Sequence, residues 1–113
     1  MTTTKKNKSL FFVKNKQVLE RIDVHLIRYI HAEGNFCFFN MKNKESYSIK
    51  ISLKQLQNHF NQEQFVRIHK GYVINLDYLK QVNIKDKTLL VGDEIIPIGR
   101  TYYTDLSNRL SLF

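Results

Sequence analysis

Apolar residues in this chain never run long. They come in short bursts, such as Leu10 to Val13, Leu26 to Ile30 and Phe36 to Met41, each closed within a few residues by Lys, Asn, Asp or Gly. A helix that buries one stripe needs apolar positions repeating at i, i+3, i+4 and i+7 over about ten residues or more, and most of the chain offers no such window. Short runs bounded by turn residues are instead the signature of strands in antiparallel hairpins. At 113 residues and 13.5 kDa there is room for one modest core.

Element by element, the polar stretch Lys14-Asn15-Lys16-Gln17 separates Leu10 to Val13 from Val18 to Val24, predicting a hairpin. Leu26 to Ile30 reads as a strand broken at Glu33-Gly34-Asn35, and Phe36 to Met41 as another, its aromatics Phe36, Phe38 and Phe39 suited mostly to a core. Tyr47, Ile49 and Ile51 alternate with Ser48 and Lys50, the period-2 pattern of a strand with one buried face. Ser52 and Gln55 then fit a capping box, with Leu53, Leu56 and Phe60 on one stripe of a helix ending near Asn61. Phe65 to Ile74 returns to strand character, Asn75 caps a helical turn, and Gln81 to Ile84, Thr88 to Val91 and Ile95 to Ile98 make three more strands. Pro97 has no ladder donor, so its strand belongs at an edge. Thr101 to Leu112 is helical, with Tyr103, Leu106 and Leu110 on one face. The expected architecture is mainly β, a compact stack of small antiparallel sheets with two short helices.

Charge narrows the class. Eighteen Lys and Arg against ten Asp and Glu leave +8. Lys5, Lys6, Lys8, Lys14 and Lys16 precede the first acid, so residues 1–8 read as a basic flexible arm ahead of a domain over 9–113. A basic domain attracts polyanions, of which nucleic acid is the commonest in the cytosol. No apolar run approaches the ~20 residues of a membrane span, and nothing resembles a signal peptide. Cys37 stands alone, which fits a reducing, cytoplasmic setting. His25, His31, His59, His69 and Cys37 lack zinc-site spacing, the acids are scattered, and no glycine-rich phosphate loop is present. The reading is a non-enzyme with no cofactor, no metal and no small-molecule substrate.

The segment Phe65-Val66-Arg67-Ile68-His69-Lys70-Gly71-Tyr72-Val73-Ile74-Asn75 is the most informative. In a strand, Val66 and Ile68 point to one face while Phe65, Arg67 and His69 point to the other. Arg67, His69 and Lys70 then form a basic cluster at an exposed connection around Gly71. Spacing alone also allows a plain solvated edge that deters strand pairing.

That segment resembles part of the LytTR family of bacterial DNA-binding domains, together with Glu33-Gly34-Asn35-Phe36, Ser52-Leu53 and Ile96-Pro97-Ile98-x-Arg100. The blocks stand in the family's order and at about its spacing over roughly residues 9–113. The resemblance implies a largely β domain that reads double-stranded DNA by inserting inter-strand loops into successive major grooves. It also implies action beside a receiver domain in response regulators of two-component systems, and binding to paired direct repeats, with a possible homodimer on DNA. By the same resemblance, Gly34 and Asn35 lie in one reading loop, His69, Lys70 and Gly71 in a second, and Arg100 and Thr101 at a third. Arg67, Lys54 and the Lys42/Lys44 turn are candidates for phosphates.

The chemistry fits: Asn pairs bidentately with adenine, and Lys or Arg with guanine. Each residue also has a structural use. Asn35 suits a turn, His69 a satisfied imidazole at a loop base, Arg100 a partner for Asp105, and Asn75 a cap. Many members carry Arg where this chain has Lys70, and serine where it has Gly71 and Gly99. Two further readings stay open: a protein-interaction module that keeps the fold and modulates another regulator, and a single-strand RNA binder with aromatics on an open sheet face.

Overall fold

A computed structural model describes residues 10–113, so the basic arm expected over residues 1–8 lies outside the described residues. Among them are ten strands: β1 (Phe11–Asn15), β2 (Val18–Ile22), β3 (Ile27–Glu33), β4 (Phe36–Met41), β5 (Ser46–Ile49), β6 (Phe65–His69), β7 (Tyr72–Asn75), β8 (Leu79–Asn83), β9 (Thr88–Val91) and β10 (Glu94–Pro97). Two helices join them, α1 (Leu53–Gln57) and α2 (Arg100–Arg109), with 3-10 turns at Val24–Leu26 and Leu76–Tyr78. The strands form three antiparallel sheets: a five-stranded one in the order β5-β4-β3-β7-β6, a three-stranded one in the order β10-β9-β8, and the β1-β2 hairpin. The mainly β stack expected from the sequence is the fold observed.

The five-stranded sheet is the middle layer. Strand alternation sends Ile30, Phe39, Phe65 and Val73 to one face, where Val13, Ile22, Leu53, Leu56 and Phe60 cover them. It sends Val66, Ile68 and Ile74 to the other, against Leu89, Val91, Ile96, Ile98 and Leu106. Each such fully buried side chain contributes about 1.5–3 kcal/mol of hydrophobic stabilisation, so two cores hold one sheet in place. β6 is therefore covered on both faces, and Phe65 is as buried as Val66 and Ile68. The alternation of this strand puts Phe65 on the face of Arg67 and His69, but a single strand's periodicity does not show how many layers will pack on it.

Several boundaries moved. α1 is shorter than the stripe implied; Ser52 Oγ accepts from Gln55 N at 3.1 Å as expected, but regular helix stops at Gln57 and a looser turn carries Phe60 into the core. β2 ends at Ile22 because Asp23 accepts from His25 N and caps a 3-10 turn. Pro97 lies on β10, at the edge of its sheet, as its missing donor requires. Of the aromatics on β4, only Phe39 is in the core; Phe36 is 44% exposed and Phe38 half-buried, stacked on His31. Alternation explains this: Cys37 and Phe39 share one face, so Phe36 and Phe38 take the other, outside the area that the three-stranded sheet covers.

Candidate nucleic-acid interface

The three loops singled out in the sequence meet at one end of the middle sheet. β3 pairs directly with β7, so the β3–β4 turn and the β6–β7 turn are neighbours, and Ala32 N donates to Gly71 O at 2.9 Å across them. The start of α2 joins through Gly99, whose N–H donates to Ile68 O at 2.7 Å. Gly34 adopts φ +59, a left-handed conformation that costs a side-chain-bearing residue energy, and so presents Asn35 at the tip. Asn35, Lys70, Arg100 and Thr101 are all exposed.

The β6–β7 turn is held from inside. Gly71 N donates to His69 Nδ1 at 3.0 Å; a backbone N–H can only donate, so Nδ1 accepts and a neutral ring carries its proton on Nε2. The ring also stands edge-on to Tyr72. His69 therefore has the loop-base role that its position allowed. Arg67 donates from Nε to His69 O at 2.9 Å and from Nη2 to Lys70 O at 2.6 Å, with its guanidinium over the Tyr102 ring. It braces the turn that presents Lys70, and α2 stacks on that brace. The sequence offered no sign of Tyr102's part, since an aromatic at that helical position fits any packing face.

The glycine departures differ in kind. A Cβ on Gly99 would lie 2.9 Å from Tyr102 Cδ2, so glycine there lets the ring close over the turn. A Cβ on Gly71 would meet only His69 Nδ1 at 3.8 Å and Ala32 O at 3.9 Å, ordinary contacts. Asn75 is fully buried: its amide donates to Ile27 O at 2.9 Å and its Oδ1 accepts from Asp77 N at 3.0 Å. It is a cap and a tie between strands.

The Lys42/Lys44 turn stands elsewhere. It closes the opposite end of β4 from Asn35, and Lys44 Nζ is 2.8 Å from Asp93 Oδ2. Arg28, reaching from β3, donates to the other oxygen of the same carboxylate. These two hydrogen bonds, Lys44's first, hold the Asp93 carboxyl down at about 2. The turn lies at the far end of β4 from the Asn35 loop, with Lys44 engaged by a carboxylate it shares with Arg28. Arg100 is not Asp105's partner; Arg109 is, at 3.3 Å.

Burial pushes the Cys37 thiol up, and its Sγ donates to Ile51 O at 3.2 Å, the setting of an unreactive packing residue. Among the described residues, no group of three or more His, Cys, Asp or Glu is gathered to hold a metal, and no helix is long and apolar enough to cross a membrane.

Comparison with known proteins agrees with this fold. The profile of the LytTr DNA-binding domain matches residues 17–111. The CO-responsive transcriptional regulator RcoM of Rhodospirillum rubrum is 25% identical over 101 residues, which cover 85% of this chain and 42% of that protein. The sensory transduction protein LytR of Streptococcus mutans is 30% identical over 71 residues, covering 59% of this chain and 29% of LytR. The chain thus spans less than half the length of these curated relatives. A solved LytTr DNA-binding domain from Bacillus cereus superposes with a TM-score of 0.79 at 17% identity, covering 94% of this chain and all of that one, which shows a shared fold. By sequence profile over nearly its whole length, the chain belongs to the LytTR family of DNA-binding domains.

Proposed function

We propose that this chain is a sequence-specific double-stranded DNA-binding module of a transcriptional regulator. It reads successive major grooves through Asn35, Lys70 and the Arg100–Thr101 start of α2. The single observation that carries the reading is the convergence of three exposed turns on one end of a rigid sheet, tied by the Ala32–Gly71 and Gly99–Ile68 hydrogen bonds. Loops held this way act as fixed points and can present Asn to adenine or Lys and Arg to guanine without ordering on contact. The backbone N–H groups at the start of α2, where Gly99 supplies no side-chain cap, suit a phosphate. His69 and Arg67 then shape the second loop from behind. The basic residues Lys5, Lys6 and Lys8 add affinity without selectivity.

Selection of bound duplexes from a random pool tests this. A recovered motif, above all a pair of direct repeats about one helical turn apart, supports both the base reading and a homodimer on DNA. Recovery of unrelated sequences would reduce the module to a non-specific binder. A second reading, docking to a protein partner, draws on the outer face of the β1–β2 hairpin, where Phe12 is 47% and Leu19 64% exposed. Absence of duplex binding even at low salt would favour it.

A further inference from the structure

Between the two central reading turns and the β5–α1 junction lies a cleft of about 460 Å³. Asn35 forms part of one wall, Lys70 and Arg67 another, and Lys50, Ser52 and Lys54 the third. Lys50 follows β5, which pairs with β4 so that Cys37 faces Ile49; Lys50 is thereby brought to the same end of the sheet as Asn35. Lys54 stands in the first turn of α1, and both lysines are exposed.

Four cations line this cleft and no carboxylate does. The ion pairs among the described residues engage Arg28, Lys44 and Arg109, none of them here. Arg67 has turned its donors to the carbonyls of His69 and Lys70, which leaves Lys50, Lys54 and Lys70 to act on whatever enters. Ammonium groups gathered without a counter-charge repel one another, and a bound anion relieves that repulsion while gaining attraction from each. The Ser52 hydroxyl adds a polar lip.

We infer that this cleft takes a phosphate group, with Lys50 and Lys54 as its principal charge donors. It rests on the DNA reading above and extends it: a duplex presenting bases to Asn35 and Lys70 brings its own backbone across the cleft mouth, and the phosphate is that of the flanking strand. Lysine suits the task, since a compact charge on a flexible stem holds a phosphate without demanding one geometry. The β5–α1 junction becomes a contact that carries affinity and no sequence information.

The test compares the full chain with Lys50→Ala/Lys54→Ala and Lys50→Arg/Lys54→Arg on a selected and a scrambled duplex over a salt series, with Lys42→Ala/Lys44→Ala as the charge-matched control. Each lost phosphate contact lowers the log–log salt slope by about 0.9. The cleft double alanine variant should therefore lose about 0.9 of slope on both duplexes, keep the ratio between them, and recover slope in the arginine variant; the control should lose less than half as much. Circular dichroism confirms that both exposed double variants stay folded. If the parent chain binds DNA and the cleft variant keeps its full slope, or loses no more than the control, the inference is overturned and the DNA reading stands. If the parent binds no duplex, the DNA reading fails. Titration with inorganic phosphate, followed by NMR, then decides the cleft alone: saturable shifts at Lys50 and Lys54, absent in the double alanine variant, support a site for free phosphate, and no shifts overturn it.

Discussion

The two ends of the five-stranded sheet use their cations in opposite ways. β4 is six residues long, so its ends are roughly 17 Å apart at ordinary strand rise. At one end Arg28 and Lys44 close on Asp93. At the other, Lys50, Lys54 and Lys70 stand around a cleft with no acid among its lining residues. A count of lysines does not separate these ends; the position of a single aspartate does. A cation with an acid within bonding distance already has a counter-charge, and one in a cleft lined by no acid is available to a polyanion. The positive charge of this chain is thus directional, although its net value says only that it is large.

The sharpest way to break the comparison is at the reading end. Lys70→Ala or Arg100→Ala should cost about 1–3 kcal/mol on a selected duplex and little on a scrambled one, measured by fluorescence anisotropy. An equal loss on both would make the changed residue a phosphate contact. At the neutralised end, Arg28→Ala should lower stability by about 1–3 kcal/mol in urea unfolding, because a buried side chain is removed. Arg28→Met should recover most of it, since the Arg28 Nε is buried without a partner and gains nothing from its polarity. DNA affinity should change less than twofold in both.

Gly99→Ser sets the Tyr102 ring against a new side chain, whereas Gly71→Ser finds ordinary contacts. The first should weaken DNA binding severalfold by disturbing the brace that Arg67 and Tyr102 form; the second should leave it unchanged. Equal effects would detach the brace from recognition. The smallest effect is acid-dependent. The Asp93 carboxyl is held at about 2, below its ordinary 3.8, so the ionised form is favoured by folding. The stabilisation is present above about pH 4 and disappears as pH falls toward 2. Asp93→Asn should flatten that part of the stability curve, read from urea midpoints at successive pH values.

Much of this is legible in the amino-acid sequence, and for local reasons. The hairpin turn within residues 14–17, the break at Gly34, the Ser52 cap and the Asn75 cap each depend on what a few residues can do for their own neighbourhood. Pro97 on an edge follows from a missing N–H. The candidate loops follow from the resemblance of blocks in the chain, and the structure places Asn35, Lys70 and Arg100 on the exposed surface. What the sequence does not show is non-local. The cluster Phe36, Phe38 and Phe39 suggests a core by composition, yet burial depends on which layer covers each face, and only Phe39 is buried. Lys44 has Glu45 beside it in the chain, yet the acid it pairs with is Asp93, 49 residues further on. Lys50 passed as the polar half of an alternating strand, and its place beside Asn35 depends on the pairing of β5 with β4.

By itself, then, the amino-acid order determined where this chain turns, which residues alternate inward, and that it would fold as short antiparallel strands. Backbone conformation and caps are governed by interactions within a few residues. Only the tertiary structure decided that β3 and β7 lie side by side, so that two turns and a helix start share one surface. It also decided which cations an aspartate neutralises and which enclose an open cleft. Pairing between distant strands and attraction between distant charges depend on separation in space, and separation in space exists only once the sheets have closed on one another.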